Sequence, residues 1–143
     1  MLGGTIRYAT PKKHEPEEGI IKQAKSLAQK SGAKILGFND PKEAVKDADV
    51  VYTDVWVSMG QESSRSQKLK EFDGMQVNEE LVKYAKKDAV FMHCLPAYRG
   101  NEVSAQVIDG PQSVVFQEAE NRLHVQKALM LFLLDSQILC TAF

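Results

Sequence analysis

Three groups of reactive side chains follow apolar, strand-like runs in this chain. Asp54 ends the run "DVVYTD", Cys94 ends "VFMHC", and Arg122 lies in "QEAENR", just after the run "SVVF". Ligands of parallel α/β sheets bind beyond the carboxyl ends of the strands, so the sequence predicts a carboxylate, a thiol and a guanidinium at one edge. We expect Arg122 in the first turn of a helix, where the helix dipole disfavours a cation, so an anionic ligand would explain it.

Each of these residues also has a purely structural interpretation. A lone cysteine on an apolar strand is more often an inert core residue than a nucleophile, and an isolated aspartate at a strand end often caps a turn. Arg122 could pair with Glu118 or Glu120 on its own helix. The histidines are expected to be packing, surface or supporting residues, with His93 on the strand face opposite Cys94: they are His14, His93 and His124.

The composition excludes several classes of protein. A chain of 143 residues is long enough for one packed unit, and 18 Lys plus Arg against 19 Asp plus Glu leave no basic face for nucleic acid. Cys94 and Cys140 lie far apart without a CxxC motif, which argues against a zinc site or a disulfide and for a reducing compartment. The longest apolar run, 128–134, is too short to span a membrane. We therefore expect a soluble intracellular protein.

Strand-like and helix-like segments alternate along the chain, which predicts an α/β sandwich around a largely parallel sheet. Asp40 and Asn78 are expected to cap short helices, the second reaching Lys86, and Gly32 to end a longer one. The last helix is apolar nearly all round in its second half, so we expect it to be buried, with Met130 and Phe132 in the core. The predicted strands are 5–10, 34–38, 48–56, 90–94 and 113–116, and the longer predicted helices are 17–30 and 119–134.

Taken together, the motifs resemble the signatures of the ornithine carbamoyltransferases in order and spacing. The motifs are "YATPKKHEPE", "DVWVSMGQE", "FMHCLP" and "VFQEAENRLHVQKALM". The resemblance is to the second, ornithine-binding domain and covers nearly all of residues 1–143. It implies a three-layer α/β sandwich with a mainly parallel, Rossmann-like sheet. The "SMG" loop distinguishes ornithine enzymes from the aspartate enzymes that share the fold.

The resemblance also implies a role for each matching residue. The enzymes transfer the carbamoyl group of carbamoyl phosphate to the δ-amine of L-ornithine, giving citrulline and phosphate without a metal or an organic cofactor. Asp54 would hold the α-ammonium of ornithine, and Ser58 and the Met59 backbone would contact its amino-acid head. A Cys94 thiolate or the Leu95 carbonyl would align the δ-amine. Arg122 would bind the carbonyl oxygen of carbamoyl phosphate and stabilise the oxyanion.

The sequence departs from the family in two respects. It has no Ser-Thr-Arg-Thr phosphate-binding motif, so we expect the N-terminal carbamoyl phosphate domain to be absent from residues 1–143. The first strand and helix of the ornithine domain are also missing, which would leave a gap between the strands at 5–10 and 49–54. The chain alone is therefore expected to be inactive, and to need the missing domain or a partner chain.

Two other functions remain open alongside a carbamoyltransferase fragment. One is a noncatalytic binding or regulatory module that pairs through an exposed sheet edge. The other is a dinucleotide-binding domain, which would need a G-x-G-x-x-G motif that the sequence lacks. The resemblance implies a homo-oligomer, a trimer in the family, located in the cytoplasm or, in a eukaryote, the mitochondrial matrix.

Overall fold

The computed structural model describes residues 3–57, 60 and 62–134 of the chain. Short parallel strands alternate with helices, which confirms the predicted α/β class. The strands are β1 (Thr5–Ala9), β2 (Lys34–Phe38), β3 (Val50–Thr53) and β4 (Val90–His93). The α-helices are α1 (Glu18–Ser31), α2 (Pro41–Val45), α3 (Arg65–Glu71), α4 (Glu79–Val82), α5 (Ala105–Ile108) and α6 (Val115–Leu134), with 3₁₀ turns at Lys12–His14 and Glu62–Ser64.

Local capping sets the ends of several helices as the sequence predicted. The Asp40 side chain accepts a hydrogen bond from Lys42 N at the start of α2, and Asn78 accepts one from Leu81 N at the start of α4. Gly32 ends α1 with a left-handed φ of 71°, and its N–H donates to Ala28 O. Helix α4 is nevertheless shorter than expected, because it ends at Val82 and turns follow it.

The described strands form two separate parallel sheets. Strand β1 pairs with β2 from Thr5↔Lys34 onward, and β3 pairs with β4 from Val50↔Val90 to Thr53↔His93. The strand order within the described residues contains no pairing between β1 and β3. Four of the five predicted strands are therefore present, and they are divided between two sheets that do not pair with each other.

The hydrophobic core lies almost entirely around β3 and β4. Strands β1 and β2 add no fully buried side chain to it, and helix α1 buries only Ala28 among the residues described. The core cluster consists of Val51, Val77, Leu81, Phe91, Val103, Val107, Ile108 and Val115. Because apolar burial is the main stabilising term in folding, the part of the chain after residue 45 supplies most of the stabilisation by buried apolar side chains.

The C-terminal part of the structure corrects two expectations. Residues 113–116 do not form a strand: Ser113 makes one isolated parallel bridge to Phe91, and α6 begins two residues later at Val115. A short apolar run suits a strand or the start of a buried helix equally well, and here the helix forms.

Helix α6 is also largely exposed rather than buried. Val115 is its buried residue, whereas Met130 is 57% exposed and Leu134 is 84% exposed, and Phe132 is only half-buried. The prediction of burial was wrong because the described chain packs against the start of this helix and leaves the rest of it uncovered. No helix in the described part of the chain is both long and apolar enough to cross a membrane.

Because the core is uneven, the same Ile→Val substitution should lower the free energy of unfolding by different amounts at two positions. Ile108 is 3% exposed, so Ile108→Val should lower the free energy of unfolding by about 0.5–1.5 kcal/mol. Ile6 in β1 is 60% exposed, so Ile6→Val should change it by less than about 0.5 kcal/mol. Urea unfolding of both variants measures the difference, and equal losses would show that β1 lies in a packed core.

Candidate active site

The register of β3 and β4 brings Asp54 and Cys94 together. Thr53 lies opposite His93 at the last position of the parallel pair, so the next residue of each strand leaves the sheet at the same edge. The Cys94 thiol donates a hydrogen bond to Asp54 Oδ1 at 3.1 Å. The structure thus places these two predicted site residues in direct contact.

The Asp54 carboxylate is exposed beside the thiol. Its Oδ1 also accepts a hydrogen bond from the N–H of Val55 at 2.7 Å, so the aspartate does cap the turn that follows β3. The turn-capping role and a binding role are compatible, since an ionised carboxylate has several lone pairs and can accept more than two hydrogen bonds. The geometry fixes the direction of the carboxylate while leaving it accessible from solvent.

The environment of Cys94 favours the neutral thiol. Burial raises the pKa of Cys94, and its hydrogen bond to Asp54 raises it further, although the hydroxyl of Tyr52 acts in the opposite direction. The sequence-based expectation that included a thiolate is therefore disfavoured in this chain. Cys94 acts here as a hydrogen-bond donor to a carboxylate, which is the wrong state for a nucleophile.

Tyr52 is a member of the site that the sequence analysis missed. Desolvation, followed by its hydrogen bond to Cys94, raises the pKa of Tyr52 to about 12. Tyr52 precedes Asp54 by two residues, and residues two apart on a strand point to the same face. That spacing was the signal that could have identified it.

Helix α6 is joined to the end of β4 through Glu118. Its Oε2 accepts a hydrogen bond from the backbone N–H of His93 at 3.0 Å. Arg122 lies one helical turn further along on the same face and is exposed. It is about two turns into α6, not in the first turn, so the helix-dipole argument for an anion does not apply. Glu120, the other suggested partner of Arg122, lies 3.5 Å from His124 Nε2.

The loop after β4 carries Leu95 in an unusual conformation. Its φ is 55°, in the left-handed region that non-glycine residues rarely adopt. The N–H of Leu95 donates to His93 Nδ1 at 2.9 Å. His93 is fully buried, which agrees with a supporting role, but its ring lies near Cys94 and not across the sheet from it. The remaining predicted residues, Ser58 and Met59, lie outside the described residues.

The side chains of Asp54, His93 and Cys94 offer three potential metal-binding atoms within 4.8 Å of one another. The three side chains already make hydrogen bonds within the protein: His93 Nδ1 accepts one from Leu95 N, and the Cys94 thiol donates one to Asp54. A metal would require the thiol to lose its proton, while the surroundings raise its pKa. The trio therefore fits a hydrogen-bonded network better than a metal site.

The fold is that of an α/β domain in which Asp54 and Cys94 meet at one edge of a parallel sheet, the edge at which such folds bind small ligands. The family model for the aspartate/ornithine carbamoyltransferase Asp/Orn binding domain matches residues 1–133. This chain belongs to that family. The match includes every described residue of the site.

Several relatives of this chain are named ornithine carbamoyltransferase. The chain is 59% identical over 131 residues to ornithine carbamoyltransferase from Caldicellulosiruptor saccharolyticus, covering 92% of this chain and 42% of that protein. The crystal structure of anabolic ornithine carbamoyltransferase from Campylobacter jejuni superposes with a TM-score of 0.86 at 48% identity, covering 92% of this chain and 43% of that one. The Pyrococcus furiosus enzyme gives 0.83 at 54% identity, covering 89% and 41% respectively. The chain thus spans less than half the length of these relatives.

The hydrogen bonds of Cys94 predict opposite effects of two substitutions on its titration. Asp54→Asn removes a group that raises the pKa of Cys94, so thiolate should form at lower pH than in the wild type. Tyr52→Phe removes a hydroxyl that lowers the pKa, so thiolate should form at higher pH. The rate of alkylation by iodoacetamide against pH, measured in a Cys140→Ser background, reports both shifts. Shifts in the same direction would contradict the hydrogen-bond network.

Proposed function

We propose that this chain is the ornithine-binding part of an ornithine carbamoyltransferase. The contact between Asp54 and Cys94 at converging strand ends carries the proposal, because it places a carboxylate beside a thiol within the family match. The relatives at 54–59% identity are named ornithine carbamoyltransferase. We place the protein in the cytoplasm, by analogy with bacterial and archaeal relatives.

The substrate would lie along the edge formed by the ends of β3 and β4. The Asp54 carboxylate is complementary to the α-ammonium group of L-ornithine, and a charge-assisted hydrogen bond would fix that end of a flexible molecule. Ser58 and the Met59 backbone would bind its amino-acid head. The δ-amine would then reach the loop that carries Cys94 and Leu95. This loop would contribute to catalysis by positioning the amine and not by forming a covalent bond with the substrate.

The protonation of Cys94 identifies the better acceptor for the δ-amine. A neutral thiol that donates to Asp54 has only weak acceptor character left, whereas a backbone carbonyl is a strong acceptor. The Leu95 carbonyl would therefore accept an N–H of the neutral amine and direct its lone pair to the carbamoyl carbon. Arg122 would stabilise the oxygen on which negative charge grows before phosphate leaves. Carbamoyl phosphate is thus the second substrate.

The remaining half of the active site would come from outside residues 1–143. The curated relatives are more than twice the length that this chain covers, and the sequence lacks the family's phosphate-binding motif. Exposed apolar residues of α6, including Leu123 at 58% and Leu131 at 63%, give the other half a surface to cover. The break between β1 and β3 would receive the missing strand. In that form the enzyme would be a homo-oligomer.

An activity measurement tests this proposal directly. The purified chain should form no citrulline from ornithine and carbamoyl phosphate, since it lacks the groups that bind phosphate. Co-expression with the part of the Caldicellulosiruptor relative that the chain does not cover should give citrulline. Turnover by the chain alone would contradict the division of the site between two parts.

Within that complemented enzyme, Asp54→Asn should raise the KM for ornithine by about tenfold or more, because it removes one charge-assisted contact. The matched control is Asp49→Asn, which changes an exposed aspartate just before the opposite end of β3 that pairs with Lys86 at 2.5 Å. An unchanged KM for ornithine in the Asp54 variant would remove Asp54 from the site.

A noncatalytic binding module is the second candidate function, and the unpaired sheet edges favour it. Such edges present unsatisfied backbone groups that can add a strand from another chain. A co-purifying chain with a phosphate-binding motif would favour the enzyme, whereas a partner without such a motif, together with failed complementation, would favour the module.

The break in the sheet also predicts the behaviour of the chain in isolation. We expect self-association through added or swapped strands, or marginal stability as a monomer, because open edges and an exposed helix are costly in water. Sedimentation at several concentrations measures association, and hydrogen exchange compares amides 6–9 and 50–53 with those of β4. A stable monomer with equal protection of all three strands would contradict the break.

A further inference from the structure

Two polar side chains are fully buried in the described chain, and they face each other. His93 is 0% exposed and Glu102 is 1% exposed, and His93 Nε2 lies 3.4 Å from Glu102 Oε1. Burying a polar or charged pair costs desolvation energy, and such a pair seldom adds net stability compared with apolar residues. The presence of this pair in the core therefore points to a role other than stabilising it.

Both side chains hold backbone N–H groups of the same loop. His93 Nδ1 accepts from Leu95 N at 2.9 Å, and Glu102 Oε1 accepts from Tyr98 N at 2.5 Å. The loop between these points includes Leu95 with its φ of 55°, a conformation that a non-glycine residue keeps only when its surroundings enforce it. The pair thus enforces the loop conformation that presents the Leu95 carbonyl and Cys94.

The hydrogen bond from Leu95 determines where the imidazole of His93 carries its proton. A ring nitrogen that accepts from an N–H cannot itself be protonated, so Nδ1 is bare. Neutral imidazole then carries its single proton on Nε2, which makes no hydrogen bond but lies 3.4 Å from Glu102 Oε1, close enough for electrostatic attraction. An imidazolium would point an Nδ1–H at the Leu95 N–H and break the contact. The loop conformation is therefore compatible with one protonation state of the ring.

We infer that Glu102 and His93 act as positioning residues for the reaction: the Leu95 N–H and the nearby Glu102 carboxyl group together favour the Nε2–H tautomer of His93, and the bare Nδ1 holds Leu95. The backbone N–H of His93 also donates a hydrogen bond to Glu118 Oε2 of α6 at 3.0 Å. The inference rests on the proposed function only in that the Leu95 carbonyl meets the substrate. The network itself is a property of this chain, so it can be measured without substrate.

Nitrogen NMR of the imidazole rings provides the first test. The chain has three histidines, and His14→Gln and His124→Gln variants assign the remaining ring signals to His93. At about pH 7.5 the His93 ring should show a protonated Nε2 and a bare Nδ1. The opposite tautomer, an averaged signal or an imidazolium would overturn the inference.

A matched pair of variants tests the part played by Glu102. Glu102→Gln keeps the shape of the side chain but removes its charge, so the tautomer should become mixed and the Leu95 amide should exchange about tenfold faster. The control is Glu80→Gln at a side chain that is 78% exposed, and it should change neither readout. Unchanged tautomer and exchange in E102Q would overturn the inference.

If E102Q does not fold, hydrogen exchange of the Leu95 amide in the wild-type chain still tests the inference. The Leu95 amide should then be protected in the wild-type chain to the same degree as neighbouring amides of β4, because its partner is a fully buried ring. Rapid exchange of that amide would overturn the inference. A failure of citrulline formation would instead concern the proposed function and would leave these readouts unchanged.

Discussion

The parallel pairing of β3 with β4 is the constraint on which the site depends. Its register sets Thr53 opposite His93, and the next residues, Asp54 and Cys94, meet in a hydrogen bond. A shift of one residue would turn every side chain of one strand to the other face and would separate Asp54 from Cys94. The register is strongly specified because Val51 and Phe91, which face each other in it, are both in the core.

The polar network is built directly onto that apolar core. Phe91 and His93 are alternate residues of β4 and are both buried, so the same strand face supplies first a core residue and then a polar support. Their burial excludes water from the ring of His93, which strengthens its contacts with the loop. Val103 follows Glu102 and is also fully buried, so both members of the polar pair are anchored by neighbouring core residues.

Features that depend on neighbouring residues or on parallel sheet topology could be predicted from the sequence, whereas features that depend on specific contacts between distant residues were harder to predict. The caps at Asp40 and Asn78 depend on neighbouring residues, and the meeting of Asp54 with Cys94 follows from parallel topology. The pairing of His93 with Glu102 depends on a three-dimensional contact that no spacing rule specifies, whereas Tyr52 could have been identified from its position two residues before Asp54. The expected strand at 113–116 failed because a short apolar run does not distinguish a strand from a helix start.

Two groups of elements differ in how much of their apolar surface the described chain buries. The region around β3 and β4 has its own core, whereas β1, β2 and α6 expose apolar side chains. Helix α6 contacts the core region only near its start, where Glu118 accepts a hydrogen bond from the backbone N–H of His93. Most of the length of the helix is exposed. Any surface that packs on α6 therefore also sets the position of Arg122 relative to β4. A partner that completes the fold would in this way complete the alignment of the site.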